Sequence, residues 1–473
     1  MNFKNYLDQF EVFGKVARAA QKLNLPTYVV GGYVRDLILG RESKDIDFTC
    51  VGSGIILAQE VAKGFDEHVP LSVFKNFGTA MLKLEDWELE FVGARKESYR
   101  LESRKPIVED GTLMEDLERR DFTINSMAIS LNAQDYGDLV DPLGGIGDIK
   151  KKNIRTPLDP VITFSDDPLR MMRAVRFAAQ LNFDIDPDTF QAIQESASRL
   201  TIISAERIID ELNKIIKTPK PSYGFKLLFA SGLLAEFFPE MVELQGVDSV
   251  DDKSHKDNFY HTLQVLDNVC QVSDDLWLRW AAILHDIAKP ATKRFNPKVG
   301  WTFHGHEDKG ARMTPAIFRR LKLPMDERMK YVQKLVRLHL RPIALVKDEV
   351  TDSALRRLLF DAGDDIDDLM KLCRADITSK NNKKVKRYLD NFDKVEIKLK
   401  EVEEKDQVRN FQPPVSGEEI MEIFGIPPSK VIGEIKEEIK EAILEGKIGN
   451  HPDEARKLMY DIAREKGLHP KNK

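Results

Sequence analysis

The sequence from Tyr28 to Val51 reads YVVGGYVRDLILGRESKDIDFTCV and predicts a strand, a tight turn, a helix and a second strand in succession. The first strand runs into Gly31 and Gly32, and the helix opens directly after them. Glycine lets the backbone N–H groups at the start of a helix come close to a phosphate. Arg35 lies one turn into that helix and is expected to pair with phosphate oxygens. The stretch therefore predicts a turn that binds a phosphorylated ligand.

Two aspartates begin the second strand of this unit. Asp45 and Asp47 are two residues apart, so a strand places both carboxylates on one face of its sheet. Neighbouring carboxylates repel each other unless a divalent cation bridges them, and paired divalent ions support in-line phosphoryl transfer. Glu90, the only charged residue in the strand-like run 89–92, is a candidate third carboxylate. The alternative is that the glycines form an ordinary turn and that the two aspartates are solvated at the edge of a loop. Because the Gly-Gly turn and the Asp-x-Asp pair occur within one strand–turn–helix–strand unit, a nucleotidyl-transfer site is favoured.

Further motifs follow in order along the chain. They are GGYVRD at 31–36 with DID at 45–47, RRDFTINSMAI at 119–129, DPLGG at 141–145 and DDPLRMMRAVRF at 166–177. With these motifs the chain resembles the class II tRNA nucleotidyltransferases, the CCA-adding enzymes of the DNA polymerase β superfamily. The resemblance implies an α+β multidomain fold. Its polymerase β-like nucleotidyltransferase head, a mixed sheet with helices, would be followed by all-α neck, HD and tail domains.

The resemblance also implies roles for these residues. Asp45 and Asp47 match the metal-binding carboxylates of the catalytic centre, which uses Mg²⁺, and Glu90 would complete it. The nucleotide-binding loop and the ribose-holding motif are matched by Gly31, Gly32, Arg35, Arg119, Arg120, Asp121 and Asn125. Asp121 and Asn125 can hydrogen-bond a ribose 2′-hydroxyl, and Arg120 can reach a phosphate. Without the resemblance, the Arg-Arg-Asp run would fit an exposed helix start equally well.

Asp167 and Arg170 form the next candidate site. On a helix their spacing of three puts them on one face, and Arg173 continues the row. Cytosine and adenine both carry an exocyclic amine beside a ring nitrogen that accepts hydrogen bonds. A carboxylate can accept from the amine while a guanidinium donates to the ring nitrogen. Uracil and guanine have a carbonyl in place of the amine, which a carboxylate cannot bind. One side-chain pair can thus select CTP and ATP without a template; the alternative is a surface ion pair. The family pattern has Glu where this chain has Asp166, so Asp166 stays outside the predicted site.

The segment 95–118 resembles the flexible loop of complete CCA-adding enzymes. Residues 105–117 have only short apolar runs and a glycine, which favours a mobile segment. This loop argues against a relative that adds only CC. Bacterial poly(A) polymerases resemble the head too, but they carry an arginine-rich signature where this chain reads GARKESYR at 93–100. Poly(A) synthesis is therefore the second polymerase interpretation.

Helical periodicity dominates from about residue 160 onward, with helices predicted over 169–181, 205–216, 276–289 and 430–444. Within this region histidines and aspartates follow the order H…HD…H…H…D, which resembles the HD phosphohydrolase superfamily. The predicted metal ligands are His261, His285, Asp286 and Asp376, with His306 and His339 for a second ion. Ligands of this kind without cysteine favour a borderline or hard divalent ion such as a divalent transition metal.

The resemblance implies phosphodiesterase or phosphatase action in that domain, for example on 2′,3′-cyclic phosphate ends of RNA. Each histidine taken alone is more often a buried structural residue. A domain that only shapes the tRNA-binding body is therefore the alternative.

The charge balance is acidic, with 72 Lys and Arg against 78 Asp and Glu and a formal net charge of −6. This argues against a uniformly basic RNA-binding protein but not against local contacts. One local basic cluster consists of Lys380, Lys383, Lys384, Lys386 and Arg387. It is expected to contact tRNA phosphates, and the alternative is a solubilising helix face.

The 3 cysteines, Cys50, Cys270 and Cys373, are scattered and argue against a disulfide framework and a cysteine-based zinc site. No run approaches the roughly 20 apolar residues of a membrane span, and the first residues lack a signal-peptide layout. These features favour a reducing, cytoplasmic setting without a membrane partner.

The predicted regions are a nucleotidyltransferase head at 1–155, a neck with base recognition at 156–250, an HD domain at 251–378 and a tRNA-binding tail at 379–473. The predicted reaction is template-independent addition of CCA to the 3′ end of tRNA from CTP and ATP, with release of pyrophosphate. The alternatives are a poly(A) polymerase, an HD phosphohydrolase acting on nucleotides or RNA ends, and a non-catalytic tRNA-binding protein. The last two are disfavoured because both sets of candidate metal ligands are intact. The sequence leaves the oligomeric state open.

Overall fold

The computed structural model describes residues 1–65, 69–100, 103–247, 249–250, 253–254, 257–345, 351–378, 381–409 and 411–471. The chain forms two compact units, Met1–Pro239 and Glu240–Lys473. Within these described ranges, no helix combines the length and the apolar character that crossing a membrane requires.

The first unit contains both strands and helices. Its strands are β1 (Thr27–Val30), β2 (Asp45–Cys50), β3 (Leu71–Phe74), β4 (Thr79–Lys83), β5 (Glu88–Gly93), β6 (Arg95–Arg100), β7 (Ser103–Asp110), β8 (Ala128–Ser130), β9 (Leu139–Val140), β10 (Asn153–Ile154) and β11 (Asp184–Ile185). Its helices are α1 (Lys4–Leu7), α2 (Glu11–Leu23), α3 (Gly32–Ile38), α4 (Gly54–Ala62), α5 (Leu113–Glu118), α6 (Gly145–Lys151), α7 (Pro160–Asp166), α8 (Leu169–Leu181), α9 (Pro187–Ser196), α10 (Ala205–Ile216), α11 (Pro221–Ala230) and α12 (Leu233–Phe237). Short 3₁₀ turns cover Lys75–Phe77, Thr123–Asn125 and Ala197–Ile202.

The central sheet has the strand order β3-β4-β5-β2-β1-β8-β9. Strands β2 and β5 run parallel, and the other neighbours run antiparallel. The mixed sheet predicted for the head is therefore confirmed. The segment predicted as a mobile loop contains regular structure, because β6 pairs antiparallel with β7 and α5 follows.

An aromatic core packs on one face of the sheet, where buried residues alternate with less buried ones along the first part of β2 and along β5. Phe48 on β2 and Phe91 on β5 are fully buried and stack with their ring centres 5.0 Å apart. Helix α4 adds the buried side chains of Leu57 and Val61, and α2 adds Phe13. The residues between the buried ones point to the opposite face, which is where the acidic side chains of β2 and β5 lie.

The chain from Pro239 onward is mainly helical. Its helices are α13 (Pro239–Glu243), α14 (Asn258–Cys270), α15 (Leu276–Leu284), α16 (Lys289–Thr292), α17 (His306–Arg320), α18 (Glu327–Leu338), α19 (Leu340–Leu345), α20 (Asp352–Ala362), α21 (Ile366–Asp376), α22 (Asn382–Asp406), α23 (Gly417–Phe424), α24 (Lys430–Leu444) and α25 (Pro452–Glu465), with a 3₁₀ turn at Gly363–Asp365. The regions predicted as all-α also contain short strands: β11 pairs in parallel with β10, β12 (Ser249–Val250) pairs with β13 (Lys253–Ser254), and β14 (Arg294–Asn296) pairs with β15 (Gly300–Thr302).

Three of the predicted helices have their expected bounds, namely α8, α10 and α24. The helix predicted over 276–289 is wrong in its extent, because α15 ends at Leu284 and a turn over 285–288 separates it from α16. Apolar periodicity continues through this turn, since Ile287 and Ala288 are buried, so the break has no signature in hydrophobic spacing. The turn brings the His-Asp pair to the interior of the second unit, where both side chains are buried.

Candidate active site and metal centre

The candidate catalytic carboxylates share the face of the sheet that the aromatic core leaves free. Asp45 and Asp47 alternate with buried residues along β2, and the parallel register places Asp47 directly opposite Glu90 on β5. Burial raises the pKa of Asp47, the guanidinium of Arg120 counteracts this, and the charge of Asp45 raises the pKa further. Burial and then the charge of Asp47 raise the pKa of Glu90.

A shared cation stabilises carboxylates that lie this close together, and oxygen ligands suit Mg²⁺. Over the described part of the chain, groups of three ligands with atoms within 4.8 Å of one another occur only in the second unit. The head carboxylates form a more open arrangement, which fits an ion that keeps waters or takes substrate phosphates as further ligands. Asp45, Asp47 and Glu90 therefore fit the predicted ion, and their catalytic roles stay a prediction.

The turn after β1 brings the backbone against these carboxylates. Gly31 has φ +77° and ψ −139°, a conformation that side-chain-bearing residues avoid. A Cβ atom there would lie 2.8 Å from Nη1 of Arg120 and 3.3 Å from Oδ2 of Asp47. Helix α3 begins at Gly32 directly after this turn. The glycine thus makes room for a guanidinium and a carboxylate at the start of the helix.

Arg35 is buried in a network of hydrogen bonds. Its Nη1 donates to Oδ1 of Asn125 at 2.7 Å, and its Nε and Nη2 donate to the two carboxylate oxygens of Asp36 at 3.0 and 2.8 Å. The guanidinium carbon also lies 5.0 Å from the ring centre of Phe177. These bonds use three of the five N–H groups of the guanidinium and give Arg35 a supporting position, and the predicted phosphate contact stays a prediction.

Asp121 joins the Arg-Arg-Asp motif to helix α8. Its Oδ1 accepts from the backbone N–H of Phe122 at 2.8 Å and from Nδ2 of Asn125 at 3.0 Å, and its Oδ2 accepts from Nε of Arg173 at 2.7 Å. Burial alone would raise the pKa of Asp121, but Arg173 and these hydrogen bonds lower it to about 2. The carboxylate is therefore ionised and fixed at neutral pH. Residues from separate motifs form one network here, and a ribose contact through it stays a prediction.

Asp116 is absent from the sequence-based site, yet it holds both arginines of that motif. Its fully buried carboxylate lies 2.6 Å from Nη2 of Arg119 and 3.2 Å from Nη2 of Arg120. Burial raises the pKa of Asp116, and the two guanidiniums overcome this and lower it. Its spacing of three and four residues before the arginines is the signal that identifies such a partner in a sequence. Through this contact Asp116 positions Arg120 beside the carboxylate of Asp47.

The predicted base-reading residues are each held by a partner outside the pair. Asp167 lies outside helix α8, with φ −139° and ψ 101°, because the following Pro168 disfavours helical backbone in the residue before it. The expectation that both residues share one helix is therefore wrong. Oδ2 of Asp167 accepts from Nη2 of Arg207 at 3.1 Å, and Nη2 of Arg170 donates to the backbone carbonyl of Arg119 at 2.7 Å. Their role in base reading stays a prediction.

The basic cluster of the tail lies on the first turns of α22. Lys383, Lys384, Lys386 and Arg387 are exposed, and Lys380 lies outside the described residues. Positive side chains at a helix N-terminus oppose the helix dipole, so a bound phosphate would compensate both.

Six side chains from five helices and their ends converge inside the second unit. They are His261 of α14, His285 and Asp286 after α15, His306 of α17, His339 after α18 and Asp376 of α21. Nε2 of His261 lies 2.9 Å from Oδ1 of Asp376 and 3.5 Å from Oδ2 of Asp286, and Nε2 of His285 lies 3.2 Å from Oδ2 of Asp286. On the other side, Oδ1 of Asp286 lies 3.2 Å from Nε2 of His306 and 3.8 Å from Nε2 of His339.

The orientation of the histidines is set by their outer nitrogens. Nδ1 of His285, His306 and His339 each lies 2.7 Å from the backbone carbonyl of the residue three positions earlier, and Nδ1 of His261 lies 2.9 Å from Oγ1 of Thr378. A donor at Nδ1 leaves Nε2 as the lone-pair nitrogen, and all four Nε2 atoms face the two carboxylates. Three of these atoms, those of His285, His306 and His339, are buried without a hydrogen-bond partner. Imidazole nitrogens buried in this way around shared carboxylates fit a metal ion, which would displace any proton that they carry.

The charges at this centre are strongly coupled. Burial alone would lower the pKa of His285, but Asp286 and Asp376 raise it to about 10. Burial and the neighbouring His285 lower the pKa of His339 to about 4. The ammonium of Lys289 lies 2.5 Å from Oδ2 of Asp286. All six predicted ligands are thus brought together, and Asp286 is shared by two three-residue groups of candidate ligands.

Three family models match the chain. Residues 27–155 match the Poly A polymerase head domain, residues 182–244 match the "Probable RNA and SrmB- binding site of polymerase A", and residues 258–380 match the HD domain. These matches coincide with the sheet and its active-site network, with the helices after it, and with the histidine centre.

Similar proteins span most of the chain. An A-adding tRNA nucleotidyltransferase from Deinococcus radiodurans is 32% identical over 454 residues, which is 92% of this chain and 95% of that protein. A Multifunctional CCA protein from Shewanella frigidimarina is 34% identical over 314 residues, which is 64% of this chain and 70% of that protein. A crystal structure of a tRNA nucleotidyltransferase complexed with a primer tRNA and an incoming ATP analog superposes with a TM-score of 0.57 at 28% identity, covering 81% of this chain and 99% of that one.

The crowded position of Gly31 predicts that Gly31→Ala impairs nucleotide transfer. The added methyl group would meet Arg120 and Asp47, and the positive φ would cost about 1–3 kcal/mol. We expect kcat/KM for the nucleotide to fall at least tenfold in a steady-state incorporation assay. Gly147→Ala is the matched control, because a Cβ there meets nothing within 4 Å. Equal activities of the two variants would contradict this account of the turn.

The histidine centre predicts a metal affinity that rises with pH. Because the carboxylates raise the pKa of His285 to about 10, that imidazole is protonated between pH 6 and 8 and an incoming ion must displace its proton. We expect the apparent affinity for Co²⁺, followed by its visible absorption, to increase by roughly tenfold per pH unit. The control is His451→Ala, at an exposed histidine of the tail, which should bind as the unmodified protein does. An affinity independent of pH would contradict the prediction.

Proposed function

Since the chain belongs to the family of tRNA nucleotidyltransferases, we propose that it adds CCA, without a template, to the 3′ end of tRNA from CTP and ATP. The observation that carries this proposal is the shared sheet face of Asp45, Asp47 and Glu90 beside the Gly31 turn. In the reaction the terminal ribose hydroxyl of the RNA forms a bond to the α-phosphate and loses its proton. The bond between the α- and β-phosphates breaks, and pyrophosphate leaves.

The carboxylates of Asp45 and Asp47 are the proposed ligands of Mg²⁺, with Glu90 beside them. When bound, the ion supplies Lewis-acid stabilisation of the attacking and leaving oxygens. Arg120, held by Asp116 next to Asp47, is placed to bind a phosphate oxygen of the nucleotide.

The ribose and the base are proposed to lie farther along the same network. Asn125 and Asp121 would orient the ribose, and Asp167 and Arg170 would read the edge of the base. The extended backbone at Asp167 supports this, because its carboxylate is not confined to a helix face.

A second candidate is addition of the terminal A alone. It is supported by the Deinococcus radiodurans relative, which matches nearly the whole chain and is named for A addition. The two reactions use the same chemistry and differ in whether CTP is accepted. A poly(A) polymerase would use the same head as well and differs in where extension stops.

For the second unit we propose a divalent transition metal at the histidine centre and hydrolysis of phosphate esters on RNA ends. The support is the set of buried Nε2 atoms without partners around Asp286. The resident ion would supply an activated water when bound. His261, His285, Asp286 and Asp376 would hold one ion, and His306 and His339 would complete a second position.

The proposed partners are tRNA, ATP and CTP in the cytoplasm. A primer tRNA and an ATP analog occupy the similar crystal structure, which supports the first two. Lys383, Lys384, Lys386 and Arg387 are proposed phosphate contacts of the tail. The division into head, neck, HD and tail regions at residues 155, 250 and 378 is retained as part of the proposal.

The catalytic assignment predicts that Asp47→Ala abolishes addition while tRNA binding survives. We expect a tRNA lacking its 3′ CCA to gain CCA when CTP and ATP are present, and a tRNA ending in CC to gain A from ATP alone. Sequencing of the product ends measures both, and filter binding measures the tRNA affinity. Asp86→Ala, at an exposed turn outside the site, is the control.

Incorporation by purified Asp47→Ala would contradict the role of that carboxylate. Extension of CC-ended tRNA without any C addition would select the second candidate, and a long A tract would select poly(A) synthesis.

The two centres are predicted to act separately. We expect His285→Ala to keep nucleotide addition and to lose hydrolysis of adenosine 2′,3′-cyclic phosphate in the presence of Co²⁺ or Ni²⁺. His451→Ala should retain both activities. Hydrolysis that survives in His285→Ala would contradict the assignment of the metal centre, and loss of both activities would show that the centres are coupled.

A further inference from the structure

The carboxylate of Asp167 is held from a helix that none of the sequence motifs includes. Arg207 lies in the first turn of α10, 40 residues along the chain, and its Nη2 donates to Oδ2 of Asp167 at 3.1 Å. The other oxygen, Oδ1, accepts from the backbone N–H of Leu169 at 3.1 Å. Each oxygen therefore has a fixed partner, and the plane of the carboxylate is defined by two contacts.

This support matters because little else restrains Asp167. Its side chain is 24% exposed, and the residue lies in extended backbone between α7 and α8, outside any helix that would orient it. A carboxylate selects a base only if its lone pairs point in a set direction. Without Arg207 the single bond to the Leu169 N–H would allow the carboxylate to turn.

Helix α10 supports the arginine row of α8 at a second point. Glu211, one helical turn after Arg207, is buried and lies 2.8 Å from Nε of Arg176. Arg176 in turn lies 4.1 Å from the ring centre of Phe177. Residues on one face of α10 therefore contact both Asp167 and helix α8, which carries Arg170 and Arg173.

We propose that Arg207 is a positioning residue for nucleobase selection, acting through the carboxylate of Asp167. This rests on the proposed base-reading role of Asp167. Arg207 contacts the carboxylate oxygen from the side of α10 and holds the acceptor in the direction that an exocyclic amine of cytosine or adenine requires. The selected ligands are therefore CTP and ATP, and the rejected ones are UTP and GTP, which present a carbonyl at that position.

The test compares Arg207→Met with the unmodified enzyme in single-nucleotide incorporation. We expect the ratio of kcat/KM for ATP to that for GTP, and for any accepted CTP to that for UTP, to fall about tenfold. The KM for tRNA should stay unchanged. Arg207→Lys keeps the positive charge but not the planar fork, so it should recover part of the selectivity.

A matched control is Arg320→Met in the second unit. Arg320 forms a comparable ion pair with Glu240, and the arginine side chains are 45% and 42% exposed in the two pairs. Its removal should leave the selectivity unchanged. The midpoint of thermal unfolding of each variant shows whether the protein is folded under assay conditions.

Asp167→Asn, alone and combined with Arg207→Met, distinguishes the base-reading role of Asp167 from the positioning role of Arg207. If Asp167→Asn leaves selectivity intact, the base-reading role itself fails. If Asp167→Asn lowers selectivity and Arg207→Met does not, only the positioning role fails. The expected result is that the double variant is no less selective than Asp167→Asn. A raised KM for tRNA with unchanged selectivity would make Arg207 a tRNA contact and overturn the proposal.

Discussion

The arrangement of the first unit depends on the buried negative charge of Asp121. An ionised carboxylate is expensive to bury unless it is paired and fully hydrogen-bonded. Asp121 meets this condition through the Phe122 N–H, Asn125 and Arg173. The contact with Arg173 ties the Arg-Arg-Asp segment to α8. Through Asn125 the network continues to Arg35 on α3, and α3 begins at the turn beside the candidate catalytic carboxylates. The Gly31 turn, the Arg-Arg-Asp segment and helix α8, for which the phosphate, ribose and base contacts are proposed, are therefore joined by one hydrogen-bond network.

The second unit contains a buried carboxylate under a similar constraint, with a different outcome. Asp286 is almost fully buried among histidines, and Lys289 contributes one compensating charge. Both carboxylate oxygens of Asp121 accept hydrogen bonds from protein groups. Around Asp286 the inward nitrogens of His285, His306 and His339 have no hydrogen-bond partner, while their outer nitrogens are already bonded to carbonyls. A network whose hydrogen bonds are satisfied, as at Asp121, stabilises a fixed geometry. Histidine nitrogens without partners around a carboxylate, as at Asp286, fit the binding of an ion.

Sequence reasoning succeeded where function follows from local spacing. The period of two along a strand predicted the shared face of Asp45 and Asp47, and the register of β5 adds Glu90 to it. Apolar periodicity predicted α8 and α10 with their bounds. It gives no signal for the distant partner of a long side chain. Arg35 donates to Asn125, 90 residues away, and its predicted phosphate contact stays a prediction. Asp167 was expected within a helix, although Pro168 in the sequence already argued against that position.

By itself the sequence determined the order of the motifs, the strand and helix that carry them, and the set of residues able to bind metal or nucleotide. These follow from backbone periodicity and side-chain chemistry, which act over a few residues. Only the tertiary structure decided which charges meet, because Asp121 and Arg173 are 52 residues apart, and Asp167 and Arg207 are 40 apart. The folded chain brings each pair within hydrogen-bond distance. Burial then makes the pairing of Asp121 with Arg173 necessary, since an unpaired charge in the interior would destabilise the fold.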